Sequence, residues 1–140
     1  MRGLLADANI EGHVMYLRQL LAKLELDSLL SEQGIEFVFF SDLNLAPDVN
    51  DRLLWNRCQQ ERLTLFTDNR NRDDTDSLQA TLDDSWQPGN LPVLTLSDKR
   101  RFEDEPDYAE RVAYDVVELL LDFADRRLLN RPRIFVPVTR

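Results

Sequence analysis

Leu4-Leu5-Ala6-Asp7 is a short apolar run closed by a carboxylate, and the same form returns three more times along the chain. Phe39-Phe40-Ser41-Asp42, Leu65-Phe66-Thr67-Asp68 and Thr95-Leu96-Ser97-Asp98 each bring an apolar or β-branched stretch to an end on an aspartate. Runs of this length bounded by turn residues read as buried strands. Working outward, the stretches between them carry helical spacing. Ile10, Val14, Leu17, Leu21 and Leu24 lie on one face of a helix predicted over Ile10–Leu30, which Gly34 stops. A strand over Ile35–Phe40 follows, then a polar loop broken by Pro47. A second helix is predicted over Asp48–Glu61, with Leu53, Leu54 and Cys58 on its apolar side, and a third strand over Leu63–Phe66. Residues 69–76 are strongly polar and read as a surface loop. A weak helix over Ser77–Ser85 and a turn at Pro88-Gly89-Asn90 lead to a strand over Pro92–Leu96. Lys99–Pro106 reads as a charged loop. The clearest helix runs over Asp107–Leu129, with Val112, Val116, Leu119, Leu120 and Phe123 on its apolar face. A last strand, Arg133–Val136, sits between Pro132 and Pro137. Strands alternating with helices imply βαβ units. The expected fold is therefore α/β: one three-layer α/β/α Rossmann-like domain over 1–140, with a mostly parallel sheet of about five strands.

The chain carries 26 Asp and Glu against 17 Lys and Arg, a net charge of -9. That balance argues against simple electrostatic binding of a nucleic-acid backbone. It leaves acidic metal sites, protein partners and small-molecule chemistry open. With one cysteine, Cys58, no disulfide can form within the chain, and a reducing cytoplasm is the expected compartment. No apolar run approaches the roughly 20 residues that span a bilayer, and an acid at Asp7 comes too early for a signal peptide. No membrane association is expected. The bases are 15 Arg and 2 Lys, and five of the Arg lie in 126–140, where there is no acid. This basic end either balances the acids of the preceding helix or forms a phosphate-contacting edge.

In a parallel sheet all C-terminal strand ends share one edge, and ligands bind there near the point where strand order reverses. Carboxylates meeting at such an edge repel one another unless protonated or neutralised by a cation. Mg²⁺ and Mn²⁺ take oxygen ligands and supply that charge. Any single strand-end Asp has a simpler use as a helix cap or turn residue. Four in a row raise the metal reading to an even contest.

Three segments carry a resemblance. Asp7-Ala8-Asn9-Ile10, after an apolar strand, resembles the opening of PIN-like nuclease domains in the branch that begins Asp-x-Asn and a helix. Asp51-Arg52-Leu53-Leu54-Trp55 resembles that branch's acid at the start of the helix before the third strand. Leu65-Phe66-Thr67-Asp68 resembles its strand ending in Thr-Asp or Thr-x-Asp. The run Thr67-Asp68-Asn69-Arg70-Asn71, followed by Asp76-Ser77-Leu78, is similar to a subgroup of uncharacterised bacterial PIN-like proteins of cyanobacterial type. The resemblance covers nearly the whole chain. It implies a Rossmann-like sandwich and Mg²⁺- or Mn²⁺-dependent hydrolysis of phosphodiester bonds in single-stranded RNA. It also implies Asp7 as the central metal ligand, Asp51 as the second acid, and Asp68 as the third, holding the ion or its water. Asn71 or Asp76, or else Asp73 or Asp74, would complete the ligand set. Asn9, Arg70 and Arg72 are the candidate substrate contacts. Proteins of this kind often serve as the toxin of a toxin–antitoxin pair, so an antitoxin is an implied partner. The chain departs from the branch in two places: Ala8 stands where Glu is frequent, and Asn69 and Arg70 stand where a further Asp is expected. Two alternatives stay open, a non-catalytic PIN-like protein-interaction module and a small-molecule phosphatase.

Other residues read more simply. His13, the only histidine, lies one turn after Asn9 and is expected to be structural. Cys58 is expected in the core, as are Trp55 and Trp86, although either Trp could stack on a base. Arg70 and Arg72 could equally pair with Asp73, Asp74 and Asp76. Glu103-Asp104-Glu105 reads as a solvated face. Four glycines in all leave no phosphate-cradling loop. A receiver-type domain also gathers Asp at strand ends, but it needs a Lys after its last strand, and Lys99 follows the fourth. Trp and Leu positions on two helices are compatible with a homodimer.

Overall fold

The four residues of β1 (Gly3–Ala6) are all buried, as a central strand of a two-sided sheet requires. The structure, a computed structural model, describes residues 1–69 and 77–139. Its order is β1, α1 (Glu11–Lys23), α2 (Asp27–Glu32), β2 (Glu36–Val38), α3 (Asp51–Glu61), β3 (Leu63–Thr67), α4 (Leu78–Ser85), β4 (Val93–Leu96), α5 (Lys99–Asp104), α6 (Pro106–Ala124) and β5 (Arg133–Val136). The strands form one sheet in the order β2-β1-β3-β4-β5, and every pairing is parallel. The protein is thus α/β with helices on both faces of a parallel sheet. Gly3 is required where it stands. A Cβ there would lie 2.1 Å from the Glu36 carbonyl oxygen on β2.

Side-chain alternation divides the core in two. Leu4 and Ala6 of β1, Phe66 of β3, Leu94 and Leu96 of β4, and Ile134 and Val136 of β5 pack against α1 and α6. Leu5, Leu63, Leu65 and Val93 point the other way, onto Leu54, Trp55 and Cys58 of α3 and Leu78 and Leu82 of α4. The β1→β2 and β4→β5 connections therefore share one face although they step across the sheet in opposite directions, so they have opposite hands. With right-handed crossovers the rule, the last one is the exception. On the α3–α4 face, Phe135 of β5 is 44% exposed.

Helix ends depart from the sequence expectation for one recurring reason. The single helix expected over Ile10–Leu30 is broken at Glu25, which takes a left-handed φ of 61°. Leu26 N–H then bonds to the Leu21 carbonyl at 2.8 Å and Glu25 N–H to that of Ala22 at 3.1 Å, a Schellman closure. Arg126, φ 62°, closes α6 the same way, through Arg127 N–H to the Asp122 carbonyl, so α6 stops short of Leu129. β2 is shorter than expected and ends at Val38, followed by a 3₁₀ turn at Phe40–Leu43. The expected loop after Asp98 is instead α5, anchored by Phe102, which is 1% exposed. Among the described residues no helix is long and apolar enough to cross a membrane.

Candidate functional site

The chain leaves β1 towards β2 on one side and leaves β3 towards β4 on the other, so the strand order reverses between β1 and β3. That crevice is where open α/β sheets take their ligands. Asp7 follows β1 directly, and its N–H continues the ladder to the Phe66 carbonyl at 3.0 Å. The residue then turns into a short 3₁₀ segment, which its own Oδ1 caps by accepting Ala8 N–H at 2.7 Å. Alternation along β1 and β3 puts Asp7 and Thr67 on the same face. Thr67 Oγ1 donates to Asp7 Oδ2 at 2.6 Å and accepts Asn69 N–H at 3.0 Å. Both polar residues are buried, Asp7 at 8% and Thr67 at 0% exposure.

Burial is the main force on the Asp7 carboxyl, raising its pKa above the ordinary aspartate value. The hydrogen bonds from Thr67 and Ala8 oppose that shift, and the charges of Asp51 and Asp68 add to it. The fold therefore holds Asp51 and Asp68 within electrostatic reach of Asp7. Asp51 is the first residue of α3, following Asn50, whose Oδ1 caps Leu53 N–H at 2.8 Å. An acid in the first helical turn is favoured by the helix dipole. Asp51 Oδ2 also accepts Asn69 Nδ2–H at 2.9 Å and Leu78 N–H at 3.0 Å, which ties α3 to the exit of β3 and the start of α4. Asp68 ends β3 on the other side of Thr67. Its Oδ2 lies 3.3 Å from Lys99 Nζ, and its Oδ1 is buried with no hydrogen-bond partner among the described residues. From β5, Arg133 donates to the Asn69 carbonyl at 2.6 Å and to Thr95 Oγ1 at 2.8 Å.

The other sequence candidates distribute as follows. Asn9 is exposed on the turn after Asp7. Arg70, Asn71, Arg72, Asp73, Asp74 and Asp76 lie outside the described residues. Asp42 and Asp98 are exposed caps. Asp42 accepts Phe39 N–H at 2.9 Å, and Asp98 caps α5 by accepting Arg101 N–H at 3.0 Å. His13, expected to be structural, meets Glu103 of α5 at 2.5 Å, with its ring towards Phe102. Cys58 is fully buried, and burial together with the Asp7 charge raises its thiol pKa. Trp55 is in the core and Trp86 packs against it. In the basic C-terminal end, Arg127 balances Asp122 and Asp125 of the preceding chain, whereas Arg133 reaches the site. A concavity of about 700 Å³ lies elsewhere, between α1, α2 and β2 beside Arg18 and Phe37.

The sequence assigned no role to Thr67 or Asn69, placed Arg133 only within the basic C-terminal end, and offered Lys99 only for another fold. For Thr67 a signal exists: a hydroxyl in the last position of a buried strand, on the same face as Asp7. The donor set is one that suits a hard divalent cation: carboxylates that repel one another, with one buried oxygen of Asp68 unmatched. Against this, both oxygens of Asp7 and one of Asp51 are held by protein donors. Among the described residues no three His, Cys, Asp or Glu side chains are grouped closely enough to hold an ion. Comparison of the chain with family models, with curated proteins and with solved structures gave no match.

Proposed function

We propose that this chain is a divalent-metal-dependent nuclease of the PIN-like kind, hydrolysing phosphodiester bonds of single-stranded RNA with Mg²⁺ or Mn²⁺. One observation carries the reading: Asp51 and Asp68 both act on a buried Asp7 at the reversal point of the sheet, each raising its pKa. Carboxylates in that arrangement favour a cation. A divalent ion there would supply positive charge against the carboxylates and Lewis acidity towards a water. Asp7, fixed by Ala8 and Thr67, would hold the ion. Asp51, anchored by Asn69 and Leu78, would offer it a further oxygen. Asp68, with one oxygen unmatched, would take the proton of the water. Neutralising the cluster also lowers the local obstacle that a charge of -9 sets against a polyanion.

The second reading, a non-catalytic interaction module, is favoured by the Asp68–Lys99 pair, in which a protein cation already answers one carboxylate. Calorimetric titration of Mn²⁺ into the wild type and Asp7→Asn, beside cleavage of a labelled single-stranded RNA, separates the two. Asp7-dependent binding together with cleavage supports the nuclease. Binding with turnover of small phosphate esters and intact RNA favours a phosphatase. Neither binding nor cleavage sinks both enzymatic readings and leaves the module.

A further inference from the structure

We propose that Lys99 is the built-in counter-ion of Asp68, competing with the divalent cation for that carboxylate and so setting how much of the ion the site requires; the inference rests on the metal-dependent reading above. The choice of residue type carries the argument. The chain uses Arg at 15 positions and Lys at 2, yet a Lys faces Asp68. An Arg would engage a carboxylate with two parallel N–H donors and occupy both oxygens. The single ammonium of Lys99 stands 3.3 Å from Oδ2, and Oδ1 stays buried with no hydrogen-bond partner among the described residues. Half of the carboxylate is thus answered and half is left.

Exposure points the same way. The Lys99 side chain is 40% exposed against 23% for Asp68, so the ammonium has water to move into when another cation takes its place. The contrast with Asp7 is chemical: its donors are a strand hydroxyl and a backbone N–H, which cannot leave. Lys99 is also the first residue of α5, where a cation gains nothing from the helix dipole, so Asp68 is the partner that favours its position. Of the three acids, Asp68 is the one that the described residues pair with a side-chain cation, whereas Asp51 is held by the neutral Asn69 amide and the Leu78 N–H. A Mg²⁺ or Mn²⁺ ion arriving at the cluster has to displace one positive charge, which weakens its binding relative to a cluster without Lys99.

The test is Mn²⁺ calorimetry on wild type, Lys99→Met, Lys99→Arg and Asp7→Asn, with circular dichroism to check each fold and Lys99→Gln in reserve. Removing the ammonium is expected to tighten Mn²⁺ binding about tenfold, and the gain should shrink at high salt because Lys99 is near the surface. Lys99→Arg keeps the charge and is expected to bind no more tightly than wild type. Asp7-dependent binding by wild type that Lys99→Met leaves equal or weaker overturns the counter-ion role alone. Absence of Asp7-dependent binding in both wild type and Lys99→Met overturns the metal-dependent reading and this inference with it.

Discussion

Two aspartates at the middle of the sheet edge and two at its flanks follow similar local sequences and meet different fates. Asp42, beyond β2, and Asp98, beyond β4, are exposed and each accepts a backbone N–H at a helical start. Asp7 and Asp68, beyond β1 and β3, stand where the strand order reverses. There Asp7 is buried against Thr67, and Asp68 is paired with a lysine from the next crossover. The difference lies in the connections, because the helices after β1 and β3 depart to opposite sides and leave a crevice between the two strand ends. At the flanks the Asp side chain instead accepts a backbone N–H at the start of the helical turn that follows the strand. A strand-end aspartate is therefore a cap by default, and becomes part of a cluster only through its place in the strand order.

The largest expected effect tests that division directly. Asp7→Asn should lose Mn²⁺ binding and slow RNA cleavage by on the order of 10³-fold, whereas Asp98→Asn should leave cleavage within about twofold of wild type. Single-turnover cleavage of labelled RNA at saturating metal measures both. Equal losses in the two variants would erase the distinction between centre and flank.

Thr67→Val comes next and reads out in stability. The substitution keeps the shape but removes the donor to Asp7 Oδ2 and the acceptor of Asn69 N–H in one stroke. Leaving the buried Asp7 Oδ2 without this donor should cost about 1–3 kcal/mol, seen as a lower urea midpoint at unchanged slope. A cost well below that range would mean that Asp7 finds another donor and that the centre is less tightly built than its geometry implies.

At the flank the expected cost is smaller and of a different kind. Asp98→Ala removes one cap and should cost about 1 kcal/mol by urea denaturation, with cleavage unchanged. A matching loss of cleavage would place Asp98 with the central pair after all.

The inner strands were legible in the sequence because β1, β3 and β4 are short apolar runs buried on both faces, and β5 falls where Arg133–Val136 was expected. Two helix ends were not legible. Glu25 and Arg126 adopt left-handed φ values, a role that glycine signals and that these residue types do not. The helix α5 was hidden because a single buried side chain, Phe102, anchors an otherwise charged segment. In the candidate site, Asp7, Asp51 and Asp68 stood out by residue type and order, and the fold brings Asp51 and Asp68 within electrostatic reach of Asp7. Their partners did not stand out. Thr67, Asn69, Lys99 and Arg133 act through hydrogen bonds and charges that exist only once β1, β3, β4 and β5 lie side by side. That order is a property of the crossovers, which no local spacing records.

The smallest expected effect is a pH dependence confined to the centre. Burial raises the Asp7 pKa in the folded protein above its value in the unfolded chain, with Asp51 and Asp68 adding to the shift. Between those two values the folded state holds a proton that the unfolded state has released. By linkage, stability then falls as pH rises through this window, on the alkaline side of the ordinary aspartate range, and is level again above it. Below the window Asp7 is protonated in both states and the contribution is fully present. In metal-free buffer Asp7→Asn should abolish this downward step and be the more stable protein above it, while Asp98→Asn, whose carboxylate is an exposed cap, should retain it. Urea midpoints for the three proteins at closely spaced pH values measure the step. A step that survives in Asp7→Asn would assign it to another carboxyl group and remove the electrostatic basis for setting the centre apart from the flanks.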